Sequence, residues 1–194
     1  MKQGPGVFVK GVGDYSVDLR YDSGLVGLEP IDKDGTPGQI LPSRPHSLAP
    51  GDRAEPLLHR GRATGRFWGT SMRSLPGGGV ALTGGFRAGR RWLRRGVTLR
   101  YQPAGCGLRV TIPTRRGDRL EESLWFRGTP VISAGRTTLA DRAQTVAVSP
   151  PPTSIARQTG FASGTVARLV RVRLRFRGTG QPLTATFCAT HPGP

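Results

Sequence analysis

Period-two alternation of apolar and polar residues in five places, turn-forming residues throughout, and no apolar run with helical spacing over three turns predict an all-β fold. The architecture expected is an antiparallel β-sandwich of about nine or ten short strands in two packed sheets. The 29 glycines and 17 prolines are spread along the whole length, which favours a turn-rich sandwich or barrel over a helical bundle. A chain of 194 residues fits one domain, 1–194, and can bury a sizeable core.

Taking the elements in order, Tyr15, Val17, Leu19 and Tyr21 alternate with polar residues, and Asp22-Ser23-Gly24 closes the run with turn chemistry. Val97, Leu99 and Tyr101 form the next clear strand. Pro103 to Gly107 turns it into Leu108, Val110 and Ile112 as a hairpin. A turn at Arg115–Asp118 leads to Leu120, Glu122, Leu124 and Phe126, which extends the hairpin to a meander. Val170, Val172, Leu174 and Phe176 alternate with four arginines, and Gly178-Thr179-Gly180 separates them from Leu183, Ala185 and Phe187. Weaker strands fall at Val7–Val12, Val80–Phe86, Val131–Ser133 and Thr145–Val148. The Pro-rich stretch 42–56 is expected as a surface loop or boundary, and 149–153 as a rigid extended connector. The strands after that connector belong to the same domain, because an isolated hairpin is marginal in water.

The formal charge of +17 points to a polyanionic partner. Arginine supplies 26 of the 29 basic residues and asparagine is absent, as a high-GC genome would write a basic surface. Codon usage explains the choice of arginine over lysine but not the sign of the charge. Residues 1–56 carry six basic and eight acidic side chains, a net of −2, whereas 57–194 carry 23 and four, a net of +19. A basic body therefore follows a near-neutral first third.

Signatures of catalysis are absent. No serine has the glycine flanks of a nucleophile elbow, there is no P-loop, and the G-x-G pairs lack a third glycine. Asp32-Lys33-Asp34-Gly35 lacks the further carboxylates of a calcium loop and is a turn. His46, His59 and His191 are scattered, so no zinc cluster is expected and no cofactor is implied. Glu121 and Glu122 point to opposite faces of one strand, which suits partnership with arginines better than acid/base work. No aliphatic stretch approaches the ~20 residues of a membrane span. No secretory leader is legible behind Met1, so the chain is expected to be cytoplasmic, or extracellular if it is a fragment of a secreted enzyme.

Two basic clusters stand out. Arg171, Arg173, Arg175 and Arg177 are expected to project from one face of one strand ~6.7 Å apart, either as a solvated face or as a site for carboxylate, sulfate or phosphate groups. Arg87, Arg90, Arg91, Arg94 and Arg95 interleave with Phe86 and Trp92 among glycines, with Trp68 nearby. On a loop, such a set suits nucleic-acid stacking or the face of a sugar ring. Cys106 and Cys188 fit one disulfide, and two free thiols fit equally while the compartment is unknown.

The stretch Gly79–Phe126, continued by Leu169–Phe176 and Leu183–Phe187, resembles the all-β C-terminal portions of secreted bacterial polysaccharide lyases of the heparinase II/III kind. RRGVTLRYQPAGCGLRVTIPTRRGDRLEESLWF is similar to their sheet-forming text. In that family the catalytic residues come largely from an N-terminal helical domain with no counterpart in these residues, so no catalytic residue carries over. The resemblance implies a non-catalytic β-sandwich that binds or frames an anionic polysaccharide. Two other readings compete with it: a basic nucleic-acid-binding β domain, and a structural or assembly protein with an acidic partner.

Overall fold

The structure is a computed structural model that describes residues 7–12, 15–20, 24–30, 56–104, 107–126, 128–142, 145–163 and 166–190. Nearly everything described is antiparallel strand, broken by one short 3₁₀ turn at Pro76–Gly78. A three-stranded sheet pairs β1 (Val7–Val12) with β2 (Tyr15–Arg20) and β2 with β3 (Gly24–Pro30). The other twelve strands form one continuous sheet. They are β4 (Leu57–Arg60), β5 (Ala63–Ser74), β6 (Val80–Ala88), β7 (Arg91–Ala104), β8 (Gly107–Ile112) and β9 (Arg119–Phe126), then β10 (Val131–Ile132), β11 (Thr138–Ala140), β12 (Thr145–Ser149), β13 (Ser154–Ser163), β14 (Val166–Arg177) and β15 (Leu183–Thr190).

The sheet runs β10-β11-β12-β15-β8-β7-β6-β5-β4-β9-β14-β13. It is open, since β10 and β13 end it without pairing to each other. Its connections show that it is strongly curved. The four residues between β12 and β13 reach at most about 18 Å. In a flat sheet those strands would stand nine spacings apart, about 43 Å. The five-residue link from β14 to β15, which would have to cross seven spacings in a flat sheet, imposes the same bend. Side chains from both halves accordingly meet in one apolar cluster, which includes Leu58, Phe67, Phe86, Leu99, Tyr101, Phe126, Val146, Leu174 and Phe187. The all-antiparallel expectation holds, but hydrogen bonding defines one continuous ladder of twelve strands where two separate sheets were expected.

The β7–β8 hairpin pairs as expected, with Tyr101 opposite Val110. The expected meander does not form. β9 pairs with β4 and β14 rather than with β8. The turn at Arg115–Asp118 is instead a crossing between the two halves of the sheet, and it runs beside the β14–β15 crossing. Gly117 N–H donates to the Gly178 carbonyl, Gly178 N–H donates to the Asp118 carbonyl, and the Thr114 hydroxyl donates to the Gln181 carbonyl at 2.6 Å. Asp118 completes the junction. Its buried carboxylate accepts from Arg60 at 2.7 and 3.0 Å, from the Arg115 backbone at 2.9 Å and from Arg94 at 3.4 Å. The connector at 149–153 joins β12 to β13, both strands of the same sheet, and contains a cis Ser149–Pro150 bond. Residues 42–55, Cys106, the Asp32–Gly35 turn, His46 and His191 lie outside the described residues.

Candidate polyanion-binding face

Along β5, Gly65, Phe67 and Gly69 are buried while Thr64, Arg66, Trp68 and Thr70 are exposed, so one face of the strand meets the core and the other meets solvent. β6 and β7 continue that outer face. Arg87 lies between two indoles, 5.6 Å from the Trp68 ring and 5.8 Å from the Trp92 ring, and Arg95 sits 5.5 Å over Trp92. Trp68 is 53% exposed, a large apolar surface left open to water. Glycine makes the stack possible. A Cβ at Gly85 would strike the Arg94 carbonyl and come within 2.8 Å of the Trp92 ring.

This cluster belongs to two strands and a tight turn, not to the open loop that the glycines imply. The turn is confined to the residues between β6 and β7, where Gly89 takes φ +55°, a conformation that favours glycine. Arg90 is exposed in that turn, and Arg91 is exposed at the start of β7. Two members face away from the others. Phe86 is fully buried, edge-on to Phe67 with centroids 5.7 Å apart, and is a core residue rather than a ligand contact. Arg94 turns to the Asp118 junction and donates to the Pro113 carbonyl at 2.8 Å. Burial pulls the Arg94 pKa down while Asp118 pulls it back.

The arginine row on β14 departs further from expectation. Arg171 is buried, and its Nε donates to the Ser123 hydroxyl at 3.0 Å, so the row does not project as four solvated charges. Arg175 Nε donates to Glu121 Oε2 at 2.9 Å and Arg173 lies 3.6 Å from Glu121 Oε1. Only Arg177 is exposed among the four. Register is the cause: β9 pairs beside β14, which puts Ser123 opposite Arg173 and Glu121 opposite Arg175. The partnership of Glu121 with arginines is therefore present.

His59 joins the same cluster, 3.3 Å from Glu121 Oε2 and 2.9 Å from the Thr64 hydroxyl. A carboxylate only accepts, so His59 Nε2–H donates to Glu121. Asp118 is legible in the sequence only as the end of the Arg115–Asp118 turn, and His59 carries no periodicity or motif that marks it.

Glu122 points the opposite way, into the core, with Oε1 buried and without a hydrogen-bond partner. Burial raises its pKa from 4.5 to about 8. Cys188 is disulfide-bonded, and Cys106 lies outside the described residues. Among the described residues, no three His, Cys, Asp or Glu side chains are grouped to hold a metal ion, and no helix is long and apolar enough to cross a membrane.

No family model matches the sequence, and no curated protein matches it. Among solved structures, 98% of the chain is similar to a crystal structure of 4-alpha-glucanotransferase from Thermococcus litoralis, at 9% identity and a TM-score of 0.49. The chain spans 42% of that protein's length. That protein is a glucanotransferase rather than a polysaccharide lyase, and a likeness of this size carries no argument about function.

Proposed function

We propose that the chain is a non-catalytic β module, of the kind that accompanies carbohydrate-active enzymes, which binds an anionic polysaccharide on the outer face of β5, β6 and β7. The curled sheet is read as the two packed layers of a sandwich, with that face turned to solvent. The observation that carries the proposal is Arg87 held between Trp68 and Trp92. Cation–π contact with two rings holds the guanidinium, and although its Nε is buried, its terminal NH₂ groups are the donors that would meet a carboxylate or sulfate. The open indole of Trp68 offers an apolar face to a sugar ring. The net charge of +17 draws such a polymer in from a distance.

Heparin chromatography tests this reading. W68A/R87S should elute at a clearly lower salt concentration than the wild type while keeping its β-type circular dichroism spectrum. Unchanged elution overturns the proposal. If single-stranded oligonucleotides bind more tightly than heparin fragments and the same variant abolishes that binding, the face is a nucleic-acid platform instead.

A further inference from the structure

The two basic clusters, far apart in sequence, lie on one face of one sheet. Reading across the strands, Arg175 stands opposite Glu121, Glu121 opposite Leu57, Leu57 opposite Arg66, Arg66 opposite Arg87, and Arg87 opposite Trp92. A parallel row one pair along sets Arg177 opposite Arg119 and Arg119 opposite His59. The residues next to these in sequence, including Leu58, Phe67, Phe86, Leu120 and Phe176, are buried in the core, so both rows lie on the sheet face away from it, with Glu121 itself fully buried among its partners there. From β7 to β14 the rows cross five strand spacings, about 24 Å along the sheet.

Charge is unevenly settled along this path. Glu121 engages Arg173 and Arg175. Arg119 and Arg177, both exposed, stand directly opposite each other, and like charges so placed repel. Arg119 reaches only the Gly61 carbonyl, at 3.5 Å, and neither arginine has an acidic partner among the described ion pairs. An anionic group laid over the pair would relieve the repulsion.

We infer that the bound polysaccharide runs across the strands, from the indole–guanidinium platform on β5–β7 to a second anion subsite formed by Arg119 and Arg177. The inference rests on the reading that the platform holds an anionic polysaccharide. It adds a direction, a length and two residues to that reading. It also makes affinity depend on polymer length: a fragment must follow the curved sheet for about 14 Å past β5, the platform edge nearer β14, to gain the second subsite.

Calorimetric titration with heparin oligosaccharides of graded length tests it, comparing the wild type, R119S/R177S and W68A/R87S. Fragments too short to reach β14 should bind R119S/R177S and the wild type equally. Longer fragments should lose about tenfold in affinity for R119S/R177S, as expected for two exposed charge contacts. W68A/R87S should weaken short and long fragments alike. If R119S/R177S binds long fragments as the wild type does, or weakens short and long equally, the track is overturned while the platform stands. If W68A/R87S binds every length normally, the platform itself fails. R119Q/R177Q keeps the aliphatic stems and should behave as R119S/R177S does, which separates loss of charge from loss of packing.

Discussion

Adjacent carboxyl groups on β9 live in opposite surroundings, and each makes a prediction. Glu121 is fully buried and shared among His59, Arg173 and Arg175. Removing the arginines strands a buried carboxylate, so R173S/R175S should lose about 2–3 kcal/mol in urea denaturation; the remaining His59 contact and the partly exposed arginines hold the loss below that of a fully buried pair. R119S/R177S, at exposed positions, should change stability by only about 0.5 kcal/mol per site. Glu122 instead sits in the core with its pKa raised to about 8 by burial. The folded state therefore holds a proton that the unfolded chain releases above its ordinary value. Its contribution is intact below pH 4.5, falls as pH rises to about 8, and is flat beyond. Replacing it with Met should raise the melting temperature at pH 8, and the gain should shrink toward pH 4.5. At most about 5 kcal/mol is at stake. The inward direction of Glu122 is legible in the sequence, since it shares the parity of Leu120, Leu124 and Phe126. The partners of Glu121 are not, because β4 and β14 come from distant parts of the chain.

Among the elements, strands with an apolar side chain at every second position were legible, and strands whose inward face is glycine were not. β5 turns Gly65, Phe67 and Gly69 inward, so its alternation contains a single apolar side chain. β13, at the end of the sheet, mixes Ile155, Ala156, Phe161 and Ala162 with polar residues and carries no period-two alternation to find. The glycines earn their place through close approach, as at Gly85 beneath Trp92. G85A should push the Arg94 backbone and the indole away, costing about 1–3 kcal/mol in chemical denaturation. The same substitution should lower the salt concentration of heparin elution, since it displaces one wall of the Arg87 stack. The missing meander has a related cause. A turn signal such as Arg115–Asp118 marks where a strand ends, but not which strand the chain pairs with next, and here the Asp118 junction carries it across to the other half.

At the scale of the whole molecule, composition foretold the all-antiparallel class and the basic charge, but pairing order depends on contacts between remote segments that no local pattern encodes. One global property is directly measurable. With two cysteines in the sequence and Cys188 disulfide-bonded, thiol titration of denatured, unreduced protein should find no free thiol, and reduction should lower the melting temperature. The strand order also has a consequence for how the chain is made. β10, β11 and β12 join the rest of the sheet only through β15. During synthesis those three strands leave the ribosome long before the segment that anchors them. Until Leu183–Thr190 emerges, β12 is paired only with β11, Val146 and Val148 lack the strand on their other side, and that unsatisfied edge stays open to other chains. Such a delayed closure of distant partners slows folding and exposes the nascent chain to aggregation. A truncation just before Leu183 would therefore release not one strand but four.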